Sequence, residues 1–334
     1  MNRLLLLFIP ILILSCTKTQ TDMNYKQDAF IEIFDNKILE ILDPEVKLEI
    51  LSTGHAWTEG PLWLEETQTL IFTDIPNNAI YQVKDGESSI YIKPSGYTGE
   101  NQRGGEVGAN GLTLDPQGRL VMCQHGDRRM ARMDSPLDQP QSKFVTLVDN
   151  YQGKRLNSPN DVVFDKTGNM YFTDPPYGLE FNIDDPAKEL DFQGIFCLKT
   201  DGELLLLDTI TRPNGLAFSP DEKYFYMANS DPNQAVWYRY EVGGKGLIHS
   251  RSLFFDATSY VGKEGYKGLP DGMKVHSSGT IFATGPGGVW IFDPNGKPLA
   301  RIATGEATSN CAFSTDEKTF FMTADSYVLK MGLK

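Results

Sequence analysis

Basic residues are in short supply. Lys and Arg total 31 against 44 Asp and Glu, a formal charge of −13. A chain this acidic is poorly suited to nucleic acid or anionic lipid as its main partner. Cysteine is also scarce, with 4 in 334 residues, and no pair has C-x-x-C spacing. That removes the usual signature of structural zinc and dithiol redox chemistry. Cys123, Cys197 and Cys311 sit in apolar runs and are read as buried thiols. No G-x-S-x-G, H-E-x-x-H or phosphate-loop motif occurs, so serine-hydrolase, zincin and nucleotide readings lack support. Long apolar runs are missing except at residues 4–14, too short for a comfortable membrane span.

That run follows Met1-Asn2-Arg3 and ends at Ser15-Cys16, which reads as an export signal. Ile13-Leu14-Ser15-Cys16 resembles a bacterial lipobox. The resemblance implies cleavage before Cys16, lipidation of Cys16, and a polar tether over 16–27. The expected location is a membrane-anchored lipoprotein, periplasmic or on the outer membrane, touching the membrane only through its N-terminal lipid.

What the chain does have is a repeat. Six segments begin with Glu59, Asn110, Asn160, Asn214, Asp271 and Asn310, spaced 51, 50, 54, 57 and 39 residues apart. Each continues with four or five strand-like residues, a polar turn such as Asp115-Pro-Gln-Gly, and a second β-rich run. Units of this length built from short strands indicate a β-propeller. The predicted fold is all-β: one six-bladed propeller over 28–334. The last unit has only 25 residues, room for three strands. The fourth is expected from the N-terminal side, near 46–51, closing the ring. Residues 28–42 are expected to form a short helix outside it.

The first strand of a blade lines the channel. Six residues at one repeat offset therefore form a ring at one mouth. Asn-Gly and Asp-Gly are also common turn dipeptides. The shared register, and Glu59 among the six, favour a ring over turn chemistry. Oxygen donors converging on an axis suit a hard divalent cation, calcium foremost. The lack of His and Cys among them disfavours zinc and copper.

Four motifs now carry a resemblance: Glu59-Gly-Pro, Asn160-Asp-Val-Val, Arg212-Pro-Asn214-Gly-Leu-Ala-Phe and Pro270-Asp271-Gly-Met. In this order they resemble the gluconolactonase, senescence marker protein (regucalcin) and LRE-like family. Arg155-Leu-Asn157-Ser-Pro-Asn160 and Thr173-Asp174-Pro-Pro-Tyr177-Gly resemble its bacterial gluconolactonase branch. The resemblance implies a divalent-metal-dependent hydrolase opening a sugar lactone. It also implies one metal held by Glu59, Asn160, Asn214 and Asp271, calcium foremost, with zinc, magnesium or manganese as the alternatives such a site takes. Asn110 and Asn310 would then face substrate or water. The Arg-x-Asn of animal members reads Ser158-Pro159-Asn160 here, so Arg103 or Arg155 is the expected replacement at the sugar, beside Tyr177. The resemblance nominates Asp271 as general base. His125 is the other candidate, because it returns to the mouth just past a second strand and histidine titrates near neutrality. Competing readings are a calcium-stabilised propeller that only binds a carbohydrate or protein, and an esterase for another ester.

Overall fold

The computed structural model describes residues 29–334. The expected export signal, Cys16 and the tether lie outside the described residues. Among the described residues no helix is long and apolar enough to cross a membrane.

Among the described residues, six antiparallel sheets of four or five strands form the blades, beside a two-stranded ribbon of Asn150–Tyr151 and Lys154–Arg155. Blade one consists of Thr58–Leu64, Thr69–Asp74, Ala79–Lys84 and Glu87–Ile92. The first strands of blades two to six are Ala109–Leu114, Val162–Phe164, Pro213–Phe218, Met273–Val275 and Thr308–Phe313. Alternation explains the packing. In blade one, Ile71 and Ile80 pack with Leu112 and Met122 of blade two, while Leu70 and Phe72 on the opposite face pack with Phe321 and Val328 of blade six. Each blade is thus apolar on both faces and stable only between neighbours, which forces the ring to close.

Closure follows the expected plan. Glu49–Thr53 pairs with Tyr327–Gly332 as the outer strand of blade six. The seam to blade one is hydrogen-bonded as well. Thr58 N donates to the Asp325 carbonyl at 2.8 Å, and Ser309 Oγ to the Thr58 carbonyl at 2.7 Å. The N-terminal segment differs from expectation. Phe30–Ile33 is a strand, paired with Pro298–Ala303 as a fifth strand on blade five, and only Asn36–Glu40 is helical, as a 3-10 turn. The Phe-Ile-Glu-Ile alternation suits a sheet edge better than a helix, because it offers one apolar face with period two. Cys123, Cys197 and Cys311 are free and buried, and Trp237 and Trp290 are core residues.

Candidate active site

The six ring positions fall where the ladder between first and second strands is broken. Register shifts lie between Glu59 and Leu62, Ala109 and Leu112, Pro213 and Leu216, and Thr308 and Asn310. In blades three and five the regular strand starts two residues after Asn160 and Asp271. Such interruptions re-aim side chains, here toward the axis instead of a sheet face.

The glycines that follow explain the recurrent Asn-Gly and Asp-Gly. A Cβ on Gly60 would lie 2.2 Å from the Asn110 carbonyl oxygen, and one on Gly111 2.7 Å from that of Asn160. A Cβ on Gly215 would lie 2.2 Å from the Asp271 carbonyl oxygen, and one on Gly272 2.0 Å from Asn310 Cγ. Each glycine lets its blade press against the next blade's ring residue. These are contacts between blades, not turns. Gly60 also has φ of +46°. Gly60→Ala is expected to cost about 2–4 kcal/mol, because the new methyl meets backbone that cannot yield. Denaturant unfolding checks this; a cost below about 1 kcal/mol contradicts the close approach.

The second strands return to the same mouth and clamp the segments entering the ring. Asp74 accepts from the Ala56 and Trp57 amides. Asp174 accepts from those of Asn157 and Ser158, both at 2.8 Å, and Asn229 Oδ1 from that of Arg212 at 2.9 Å. Thr173 Oγ1 donates to the Asn214 carbonyl at 2.9 Å. These side chains hold ring residues in place instead of facing the cavity.

At the mouth is a cavity of about 240 Å3, open to solvent. Glu59, Asn110, Asn160, Asn214 and Asp271 line it, with Tyr177, Trp57, Glu106, Arg212 and Ser230. Glu59 is buried, and its Oε2 accepts from the Gly60 amide at 2.8 Å and from Asn310 Nδ2 at 3.1 Å. Burial and the nearby Asp161 raise the Glu59 carboxyl to about 7. Burial and Glu59 itself push Asp271 well above the carboxylate range. Asp271 Oδ1 has no hydrogen-bond partner among the described residues. Asn214 gives its amide nitrogen to Ser230 Oγ at 3.0 Å, which leaves its oxygen available. Two crowded carboxylates with an unpartnered oxygen, beside amide oxygens, form a donor set that a hard dication neutralises. Among the described residues no three His, Cys, Asp or Glu side chains group to hold a metal, so any such ion must lean on the amides.

The other expected site residues fare differently. Asn310 is spent inside the protein: Nδ2 on Glu59, and Oδ1 on the Cys311 amide at 2.8 Å. It braces a carboxylate and does not line the cavity. Arg103 donates to the Gly126 carbonyl at 2.6 Å and to that of Gly178, stapling together the loops 96–109 and 177–190. Arg155 donates to the Asp127 carbonyl at 2.9 Å. Neither arginine lines the cavity; both saturate loop carbonyls. His125 is fully buried and also does not line it. Its Nδ1 lies 3.2 Å from Glu106 Oε2, without the alignment of a hydrogen bond. His125 therefore meets the cavity only through Glu106. Trp57 and Arg212 are lining residues that the repeat does not single out. Arg212 alone had a visible signal, standing two residues before a ring asparagine.

Residues 57–326 match the SMP-30/Gluconolactonase/LRE-like region. The chain is 36% identical to the gluconolactonase of Zymomonas mobilis, over 98% of this chain and 94% of that protein. It is 26% identical to a pentonolactonase of Haloferax volcanii, over 82% and 83%. A solved gluconolactonase from Xanthomonas campestris superposes with a TM-score of 0.78 at 29% identity, covering 93% of this chain and 97% of that one.

Proposed function

The chain belongs to the SMP-30/gluconolactonase/LRE-like family, and from that premise we propose that it is a divalent-cation-dependent hydrolase of sugar lactones. Its activity as a lactonase-type hydrolase of a cyclic ester follows from the relatives. The metal and the sugar specificity are the proposal. The observation that supports them is the buried Glu59–Asp271 pair, opening with Asn160 and Asn214 into one cavity.

Glu59, Asn160, Asn214 and Asp271 would hold the cation, which when bound supplies polarisation of the lactone carbonyl and charge compensation as its oxygen becomes anionic. The remaining steps fall to the chain itself. A water attacks the carbonyl carbon, and the ring C–O bond breaks to give a hydroxy acid. The water's proton goes to a carboxylate facing the cavity, and the leaving ring oxygen takes a proton back. Asp271 and Glu106 are the carboxylates placed for this. His125 stands behind Glu106, with Nδ1 3.2 Å from its Oε2, and does not line the cavity itself. A carboxylate shared with a dication is a weaker base, which favours Glu106 for the transfer.

The test is opening of D-glucono-δ-lactone in a pH-indicator assay, after chelation and with calcium, zinc or manganese restored. Metal-restored turnover is expected. A folded, metal-loaded protein inert on a panel of lactones and esters would leave the calcium-stabilised binding propeller as the reading.

A further inference from the structure

Glu59, Glu106 and Asp271 line the cavity, and Arg212 is the cationic side chain among the lining residues. Its neighbours on this face show how unusual its state is. Arg103 and Arg155 are committed to loop carbonyls. Arg128 donates to the carbonyls of Leu156 and Ala187 at 2.8 and 2.9 Å. The guanidinium of Arg212 has no hydrogen bond or ion pair to any described residue, although the residue is half-buried. Its root is fixed. The Arg212 amide donates to Asn229 Oδ1, and its carbonyl accepts from the Ser230 amide, both at 2.9 Å. Pro213 follows and stiffens the backbone further. A clamped backbone with an idle side chain at a cavity wall is the arrangement of a group waiting for a ligand. Leaving a partly desolvated cation unpaired is otherwise costly.

We propose that Arg212 is the specificity-determining residue that receives the ring hydroxyls of a polyhydroxylated lactone. The inference rests on the lactonase reading above. A guanidinium presents five donors in a planar fork and no acceptor, so it suits two adjacent hydroxyl oxygens. Tyr177 lines the same cavity and supplies a hydroxyl that both donates and accepts, whereas Ser230 Oγ already donates to the Pro270 carbonyl and accepts from Asn214 Nδ2. The charge of Arg212 acts on the Tyr177 phenol, as does that of Asp271, so the three share one corner of the cavity. A lactone bearing a carboxylate suits the corner less well. With a dication offsetting two of the three lining carboxylates, Arg212 offsets the third and no net positive charge remains to hold an anion. The preferred substrate is thus neutral and rich in hydroxyls.

The experiment compares kcat/KM of the full protein with its Arg212→Met and Arg212→Lys variants in calcium. The substrates are D-glucono-δ-lactone and δ-valerolactone, which keeps the ring and ester but has no hydroxyls. Hydrogen bonds to a charged donor set the scale. Arg212→Met should lose about 10- to 100-fold on the gluconolactone, mainly through KM, and stay within about 2-fold on δ-valerolactone. Arg212→Lys should fall between. The δ-valerolactone rate also reports that the variants are folded. Equal losses on both lactones, or no loss on the gluconolactone, overturn the inference while leaving the lactonase reading intact. A wild-type protein inert on both overturns that reading and this inference with it.

Discussion

Asp271→Asn should abolish lactone hydrolysis and, in the presence of chelator, make the protein more stable. The two effects have one cause. Asp271 is a carboxyl pressed against Glu59, with an oxygen that no described residue satisfies. Without a cation, that pair is a liability. Either one group takes a proton or two negative charges share a desolvated corner. An amide of the same shape removes the repulsion, for a gain of about 1–2 kcal/mol and a rise of a few degrees in melting temperature. The same change removes a ligand charge and a candidate proton acceptor, and turnover should fall by about 1,000-fold or more. Calorimetry in chelator beside a calcium-loaded lactone assay reads both. A destabilised Asp271→Asn variant, or one that keeps its rate, would show that the carboxylate is bonded and structural. Sites that store strain for function behave in the expected way.

The repeat was legible because a propeller copies one plan six times, so a polar residue at one offset stands out where a single Asn-Gly would not. The fold, the closing strand and the converging of Glu59, Asn160, Asn214 and Asp271 on one cavity all follow from that register. What the register does not carry is side-chain reach. Arg103 sits in a loop, Arg155 in the short ribbon strand Lys154–Arg155 and His125 just past a strand end, where the repeat offset says nothing about direction. The structure uses Arg103 and Arg155 as staples for carbonyls, and buries His125 behind Glu106. Asn310 shares the offset of its neighbours, yet the nitrogen and oxygen of its side-chain amide are consumed by Glu59 and the Cys311 amide. Position was readable, and partner was not. The same limit explains the N-terminal segment. Four alternating residues are too few to choose between helix and strand, and the choice was made by an open edge on blade five.

Calcium should stabilise the protein, and by more at pH 8 than at pH 5. Burial raises the Glu59 carboxyl from an ordinary value near 4.5 to about 7. Between those values the folded chain, free of metal, holds a proton that the unfolded chain has released. Stability in chelator must therefore fall as pH rises from about 5 through 7, since the folded state binds more protons there. A shift of this size corresponds to about 2–3 kcal/mol over the window, as an order of magnitude. A cation binds only after the carboxyls have lost their protons, so binding releases protons and strengthens with pH. At a hundred times its dissociation constant it adds about 2.7 kcal/mol. The two curves of melting temperature against pH should accordingly diverge above pH 6, with calcium flattening the fall seen in chelator. Glu59→Gln should remove most of the divergence, because it removes the proton that calcium competes with. Parallel curves in the wild-type protein would mean that no cation engages this pair. Glu59 would then have to be read as a buried acid kept neutral by its surroundings, hydrogen-bonded by Gly60 and Asn310 and serving the ring's shape alone.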